Sequence, residues 1–61
     1  MNIGTEVIKI ATDYTGGRRG WVVEIGTETK AGRVRVSWTH EPSGVAMKLK
    51  TWCGINTLSF I

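Results

Sequence analysis

Residues 33–38 read Arg-Val-Arg-Val-Ser-Trp, and this strict alternation of polar and apolar side chains constrains the fold more than any other feature. Successive side chains of a β-strand point to opposite faces, so a period of two is typical of a strand with one buried face. Residues 45–50 alternate in the same way. The positions expected to point inward on these two strands are Val34, Val36, Trp38, Val45, Met47 and Leu49.

Three further short strands are predicted over residues 6–11, 21–25 and 58–61, where β-branched and aromatic side chains are frequent. No segment shows the sustained period of 3.6 residues that an amphipathic helix requires. The predicted connections are a long loop at 12–20, a polar turn at 26–32, a hairpin turn at 40–44, and a tight turn at 52–57 containing at most one turn of 3₁₀ helix.

Five short strands in 61 residues predict a single all-β domain spanning residues 1–61. The pattern suits a small, strongly bent, partly open barrel of the SH3-like type, because closure limits exposed strand edges. A five-stranded OB barrel is the alternative, although that fold usually needs a longer chain and a helix. The expected core comprises Val22, Ile25, Val34, Val36, Trp38, Val45, Met47, Leu49 and Leu58.

The chain has few of the devices that usually stabilise so small a domain. Its single cysteine, Cys53, excludes an internal disulfide, and its single histidine, His40, leaves no zinc-ligand spacing. Neither a metal nor another cofactor is therefore predicted. Trp21, Trp38 and Trp52 supply a large apolar area, and association into a homo-oligomer stays open as a further source of stability.

The sequence also bears on the compartment. No apolar run approaches the roughly 20 residues needed to cross a bilayer, and the opening MNIGTEVIKI lacks the basic and apolar regions of a signal peptide. A lone cysteine fits a reducing compartment. We therefore expect a cytoplasmic protein with no membrane partner.

Residues 13–25, DYTGGRRGWVVEI, place three glycines and two arginines directly before an apolar run. Gly17 and Gly20 are expected to let the chain turn into the second strand with a positive φ, a backbone conformation that β-branched residues resist. A turn has no need of Arg18 and Arg19. We therefore expect the glycines to serve backbone geometry and the arginines to make contacts.

Gly4-x-x-Val7, Gly17-x-x-Gly20-x-Val22-x-x-Ile25 and Val34-x-Val36 together resemble the KOW-type motif of ribosomal proteins and transcription elongation factors. The resemblance covers residues 4–38 and implies an SH3-like barrel that contacts RNA or DNA. The chain departs from the motif where Gly16-Gly17 lengthens the loop, and where Lys9 replaces an apolar residue.

The register of the first strand is left open by the sequence. The resemblance predicts that Val7 points inward, which places Lys9 on the same inward-facing side of the strand. Composition instead favours Ile8 and Ile10 as the inward residues. A β-bulge near Lys9 would satisfy both patterns by reversing the alternation once, and we predict one there.

Eight Lys and Arg residues against five Asp and Glu residues give a net charge of +3 and a pI near 9.5, a balance that permits a polyanionic partner. If the third and fourth strands are neighbours, their outward cations form one basic face, and the loop arginines add to it. The predicted function is largely sequence-independent binding to the phosphate backbone of DNA or RNA, with aromatic side chains stacking on bases. The residues assigned to this site are Tyr14, Arg18, Arg19, Trp21, Arg33, Arg35, Lys48 and Lys50.

Three alternatives remain. The outward charges could simply be solvated strand faces. The chain could instead be a protein-interaction module, of the accessory kind that phages and plasmids encode, with Tyr14, Trp38 and Trp52 building an aromatic groove. An enzyme would need His40 and Cys53 to be brought together by the fold, and in the absence of paired carboxylates or a phosphate loop we expect a non-enzyme.

Overall fold

A computed structural model describes residues 2–10 and 16–60 of the chain. The described part is all-β, as predicted, with two single 3₁₀ turns at Glu28–Lys30 and Ile55–Thr57 as its only helical segments. The second turn directly precedes the last strand, where one was expected. The five strands are β1 (Glu6–Lys9), β2 (Arg19–Ile25), β3 (Arg33–His40), β4 (Ala46–Gly54) and β5 (Leu58–Phe60).

The strands form one antiparallel sheet in the order β4-β3-β2-β1-β5. Strands β1 to β4 pair consecutively, and β5 returns to pair with β1. The prediction of an all-β fold with five strands is confirmed, and the strands form a single open sheet whose edges are β4 and β5. No helix in the described segments is long and apolar enough to cross a membrane.

Strand β4 extends further than the sequence predicted. The tight turn expected from residue 52 begins only at Ile55, because Trp52, Cys53 and Gly54 continue the ladder against Arg35, Val34 and Arg33. This extension keeps the alternation of β4 running past Lys50 and places Thr51 and Cys53 on the same face as Leu49.

The core lies on one face of the sheet, here called the inner face. Five predicted core residues are buried, and Met47 packs against them in a partly buried position. The prediction was wrong for Ile25, Val45 and Leu49, whose exposed fractions are 42%, 61% and 43%. Ile25 ends β2, Val45 precedes β4, and Leu49 lies on an edge strand, so each lacks a covering neighbour. The buried residues are Val7, Val22, Val34, Val36, Trp38 and Leu58.

Strand β1 keeps one register throughout, so the predicted bulge within it was wrong. Val7 is fully buried opposite Gly20, and Lys9 continues the ladder against Leu58 of β5. Val7 therefore points inward, as the motif implied, and Ile10 is 41% exposed.

A bulge lies instead on the chain that faces Lys9. The Gly17 N–H donates to the Lys9 carbonyl over 2.8 Å, and the Lys9 N–H donates to the Arg18 carbonyl over 2.8 Å. Two residues thus oppose one, and Gly17 has a φ of +89°, which is the pattern of a bulge whose first residue is a left-handed glycine. The positive φ expected for Gly17 is confirmed, and the extra residue leaves the alternation of β1 intact.

Gly20 is required for a different reason from the one predicted. Its φ is not positive, and it is buried between Val7 and Trp38 in the centre of the sheet. A Cβ atom there would collide with the Ser37 carbonyl oxygen and lie 2.9 Å from the Trp38 Cα. The position therefore excludes side chains because it lacks space, not because of its backbone conformation.

We expect Val36→Ala to lower the free energy of unfolding by about 1–3 kcal/mol, because it opens a cavity in a fully buried position. Val45→Ala removes the same atoms from a residue that is 61% exposed and should change stability by about 0.5 kcal/mol or less. Urea unfolding followed by circular dichroism measures both, and equal losses would contradict the assigned inner face.

Gly20→Ala should destabilise the fold more than Gly4→Ala. Gly4 has a φ of +90° but open space around its Cβ position, so alanine there costs only the left-handed strain of about 1–2 kcal/mol. Alanine at residue 20 must displace strand backbone, and overpacking of this kind lowers the free energy of unfolding by about 1–3 kcal/mol or more. Thermal unfolding of both variants tests this, and a smaller loss for Gly20→Ala would show that crowding is not the constraint.

Candidate functional site

The face of the sheet opposite the core, here called the outer face, carries most of the predicted site. Strands β3 and β4 are neighbours, and their register places Ser37 beside Lys50 and Arg35 beside Trp52. Strand β2 lies on the other side of β3 and pairs Trp21 with Ser37. Because inward and outward residues alternate, the predicted site residues that share this face are Arg19, Trp21, Arg33, Arg35 and Lys50.

The cations of the outer face are exposed or half-buried. Arg33 and Arg35 follow each other on the outward side of β3, so their Cα atoms are about 7 Å apart. Lys50 is exposed on β4. Lys48 is also exposed, but it lies where the register of β3 and β4 shifts between Trp38–Leu49 and His40–Ala46.

Two tryptophans lie among these cations. Trp21 is 45% exposed and occupies the same cross-strand row as Lys50, two strands or about 10 Å away. Trp52 is half-buried, and the Lys30 Nζ lies 5.5 Å from the centre of its ring, which is a cation–π distance. Trp21 therefore has the more accessible ring for contact with a ligand.

Two carboxylates share the outer face. Glu24 Oε1 lies 3.8 Å from Arg35 Nη1, with side-chain exposures of 56% and 43%, so this ion pair contributes little to stability. Glu6 pairs with Trp21 across β1 and β2. The outer face is therefore net positive but not uniformly so.

Arg18 and Arg19, predicted to act together, contact different clefts. Arg19 is exposed and borders a cleft of about 450 Å³ with Glu6, Trp21 and the turn that contains Glu41. Arg18 is half-buried and borders a cleft of about 290 Å³ on the inner face. The sequence-predicted Tyr14 lies outside the described residues.

The aromatic groove expected for a protein partner does not include Trp38. Its side chain is only 2% exposed, and its Nε1–H donates to Thr51 Oγ1 over 2.7 Å. Thr51 Oγ1 also lies 3.6 Å from Cys53 Sγ. Sequence reasoning missed Thr51 because it ended β4 too early, although Leu49, Thr51 and Cys53 continue the alternation.

We expect Thr51→Val to lower the free energy of unfolding by about 1–3 kcal/mol, because it leaves the buried Trp38 indole N–H without its acceptor. Thr51→Ser keeps the hydroxyl and should retain more of the wild-type stability. Chemical unfolding monitored by tryptophan fluorescence compares the two. A Ser variant less stable than the Val variant would mean that the threonine methyl group, rather than the hydrogen bond, matters here.

Within the described residues, no group of three His, Cys, Asp or Glu side chains is placed to hold a metal ion. His40 is the last residue of β3, and its Nδ1 lies 3.0 Å from the Thr39 hydroxyl oxygen. Cys53, in contrast, faces inward from β4. No protein-family model, curated protein or solved structure matches this chain.

Proposed function

We propose that this chain is a small nucleic-acid-binding protein whose outer face contacts the phosphate backbone of DNA or RNA. The main supporting observation is the register of β3 and β4, which brings Arg33, Arg35 and Lys50 to one accessible face. Strands hold these cations at nearly constant spacing. Phosphate contacts of this kind carry no base information, so the proposed binding is largely independent of sequence.

The charge and aromatic content of the outer face fit this ligand. The outer face carries four cations, with Lys48 adjacent, and two carboxylates. One of these carboxylates, that of Glu24, lies 3.8 Å from Arg35 and partly neutralises it. Each phosphate that a cation neutralises releases counterions, which favours binding at low salt. The exposed ring of Trp21 adds a platform on which an unpaired base can stack, worth about 1–3 kcal/mol.

The same proposal includes membership of the KOW-type SH3-like group. The supporting observations are the five-stranded antiparallel sheet and the roles of the motif glycines, since Gly17 begins a bulge and Gly20 admits a close strand contact. Val7, Val22, Val34 and Val36 of the motif are all buried. The inward Arg18 does not join the outer face, so it is not part of the proposed phosphate contact.

A protein-binding role is the second candidate, and the cleft of about 450 Å³ beside Arg19 favours it. Glu6 and Glu41 border that cleft together with the exposed Trp21, so that two carboxylates face the single arginine, Arg19. Carboxylates repel phosphate but attract cations, and a tryptophan face accepts a cationic group. A basic peptide segment is therefore the partner that this cleft would suit.

The proposal is tested by fluorescence anisotropy with labelled single- and double-stranded DNA and RNA oligonucleotides from about 50 to 200 mM salt. We expect affinity to fall linearly on a log–log plot as salt rises. Replacing Arg33 and Lys50 by Gln should flatten the slope by about 0.9 per lost contact on a duplex, or 0.7 on a single strand. Trp21→Leu should weaken single-strand binding without changing the slope.

Lys9→Gln is the matched control, because it removes the same charge from the inner face and should leave the salt slope unchanged. Glu24→Gln releases Arg35 from its ion pair and should raise affinity. If no nucleic acid binds at the lowest salt, the proposal is wrong. Binding of a Lys- and Arg-rich peptide that Trp21→Leu abolishes would then favour the second candidate.

A further inference from the structure

The smaller cleft lies on the inner face, at the opposite side of the sheet from the proposed nucleic-acid contact. It has a volume of about 290 Å³, and no Asp or Glu among the described residues borders it. Lys9 of β1 and its neighbour Arg18 line one side of the cleft, inward residues of β4 line the other, and Trp38 of β3 lies between them. The residues that border this inner cleft include Lys9, Arg18, Trp38, Leu49, Thr51 and Cys53.

The backbone joins the two cationic residues directly, and both border the cleft. The bulge joins Lys9 to both Gly17 and Arg18 through hydrogen bonds of 2.8 Å each, and both cationic residues are half-buried. Like charges opposite each other on paired strands are destabilising, and partial burial strengthens their repulsion. Lys9 also occupies an inward line next to the buried Leu58, where an apolar residue would pack better.

The remaining walls of the cleft suit an organic anion. Thr51 Oγ1 accepts the Trp38 indole N–H over 2.7 Å, and its hydroxyl proton can be donated to Cys53 Sγ, 3.6 Å away, or to a ligand in the cleft. Leu49 is 43% exposed and contributes an apolar wall. A volume of about 290 Å³ lies just below the usual range of ligand pockets, roughly 300–1,000 Å³, so the ligand is small.

We propose that the inner cleft binds a small organic oxyanion, a carboxylate or phosphate monoester on a short apolar group, between Lys9 and Arg18. Its negative charge offsets the repulsion between the two cations, the Thr51 hydroxyl donates to it, and its apolar part lies against Leu49. The site is independent of the proposed nucleic-acid contact, because it lies on the other face of the sheet.

The probes are phenyl phosphate, benzoate and inorganic phosphate, each titrated at constant ionic strength into the full chain. Nuclear magnetic resonance should show saturable amide shifts centred on Lys9, Arg18, Thr51 and Cys53, and the melting temperature should rise with probe concentration by mass action. Tighter binding of phenyl phosphate than of benzoate would identify the phosphate monoester as the preferred source of the oxyanion, and the reverse order the carboxylate. Inorganic phosphate should bind more weakly than the preferred aromatic probe, since it cannot use the apolar wall.

Lys9→Met separates this site from a merely structural role. Without any probe, the variant should melt at a higher temperature than the wild type, because the like-charge pair is gone and an unbranched apolar chain replaces it. With the preferred probe, its Kd should be weaker by about tenfold or more, as expected for loss of a charge-assisted hydrogen bond. Lys50→Met, which removes a cation from the outer face, should bind the probe like the wild type.

Arg18→Gln provides a second variant if Lys9→Met does not fold, and it should weaken probe binding similarly. The proposal is overturned if no probe gives a saturable shift, or if Lys50→Met weakens binding as much as the inner-face variant. The salt slope for nucleic acid depends on outer-face residues, so a negative result with the probes would leave the proposed nucleic-acid binding unaffected. A negative result with nucleic acid would likewise leave the inner-cleft proposal unaffected.

Discussion

The close contact between β2 and β3 at Gly20 is the constraint on which the rest of the sheet depends. Gly20 lies in the row that joins Val7 to Trp38, and the Ser37 carbonyl and the Val36 methyl group occupy the space a side chain would need. Because Gly20 leaves that space free, β2 and β3 pack closely there, and Val7, Val36 and Trp38 are all buried. The core of so short a chain is therefore organised around a residue that contributes no side chain.

Once the sheet has this register, strand alternation distributes the charges between two faces. Arg19 and Arg18 are adjacent in sequence, yet they border clefts on opposite sides. Alternation alone sets this division, because adjacent strand residues point to opposite faces and the register pairs Arg19 with the outward Ile8 while Arg18 bonds the inward Lys9. The outer face consequently combines cations with an exposed tryptophan, and the inner cleft combines two cations with a hydroxyl and apolar walls.

The open edges of the sheet also bear on how the protein behaves in solution. Strand β4 is an edge with nine residues, and unpaired edges are templates for association. Lys48 and Lys50 lie on this strand and are exposed, and edge lysines are a common means of discouraging such pairing. The same lysines are therefore compatible with two roles, protecting the edge and attracting a polyanion.

The sequence by itself determined the strands and most of the inward line, because a period of two is a local property of the chain. Residues 33–38 alone were enough to place Val34, Val36 and Trp38 in the core and Arg33 and Arg35 outside it. The exposure of Leu49 and Val45 was decided by the tertiary structure, since it depends on which strands form the edges. The local pattern also predicted the bulge in β1 at Lys9 instead of on the facing chain. It ascribed the need for Gly20 to backbone conformation instead of to lack of space. Both errors have one cause, because neither the partner strand nor its distance can be read from the local sequence. The hydrogen bond between Trp38 and Thr51 likewise arises only when β3 and β4 are brought into register.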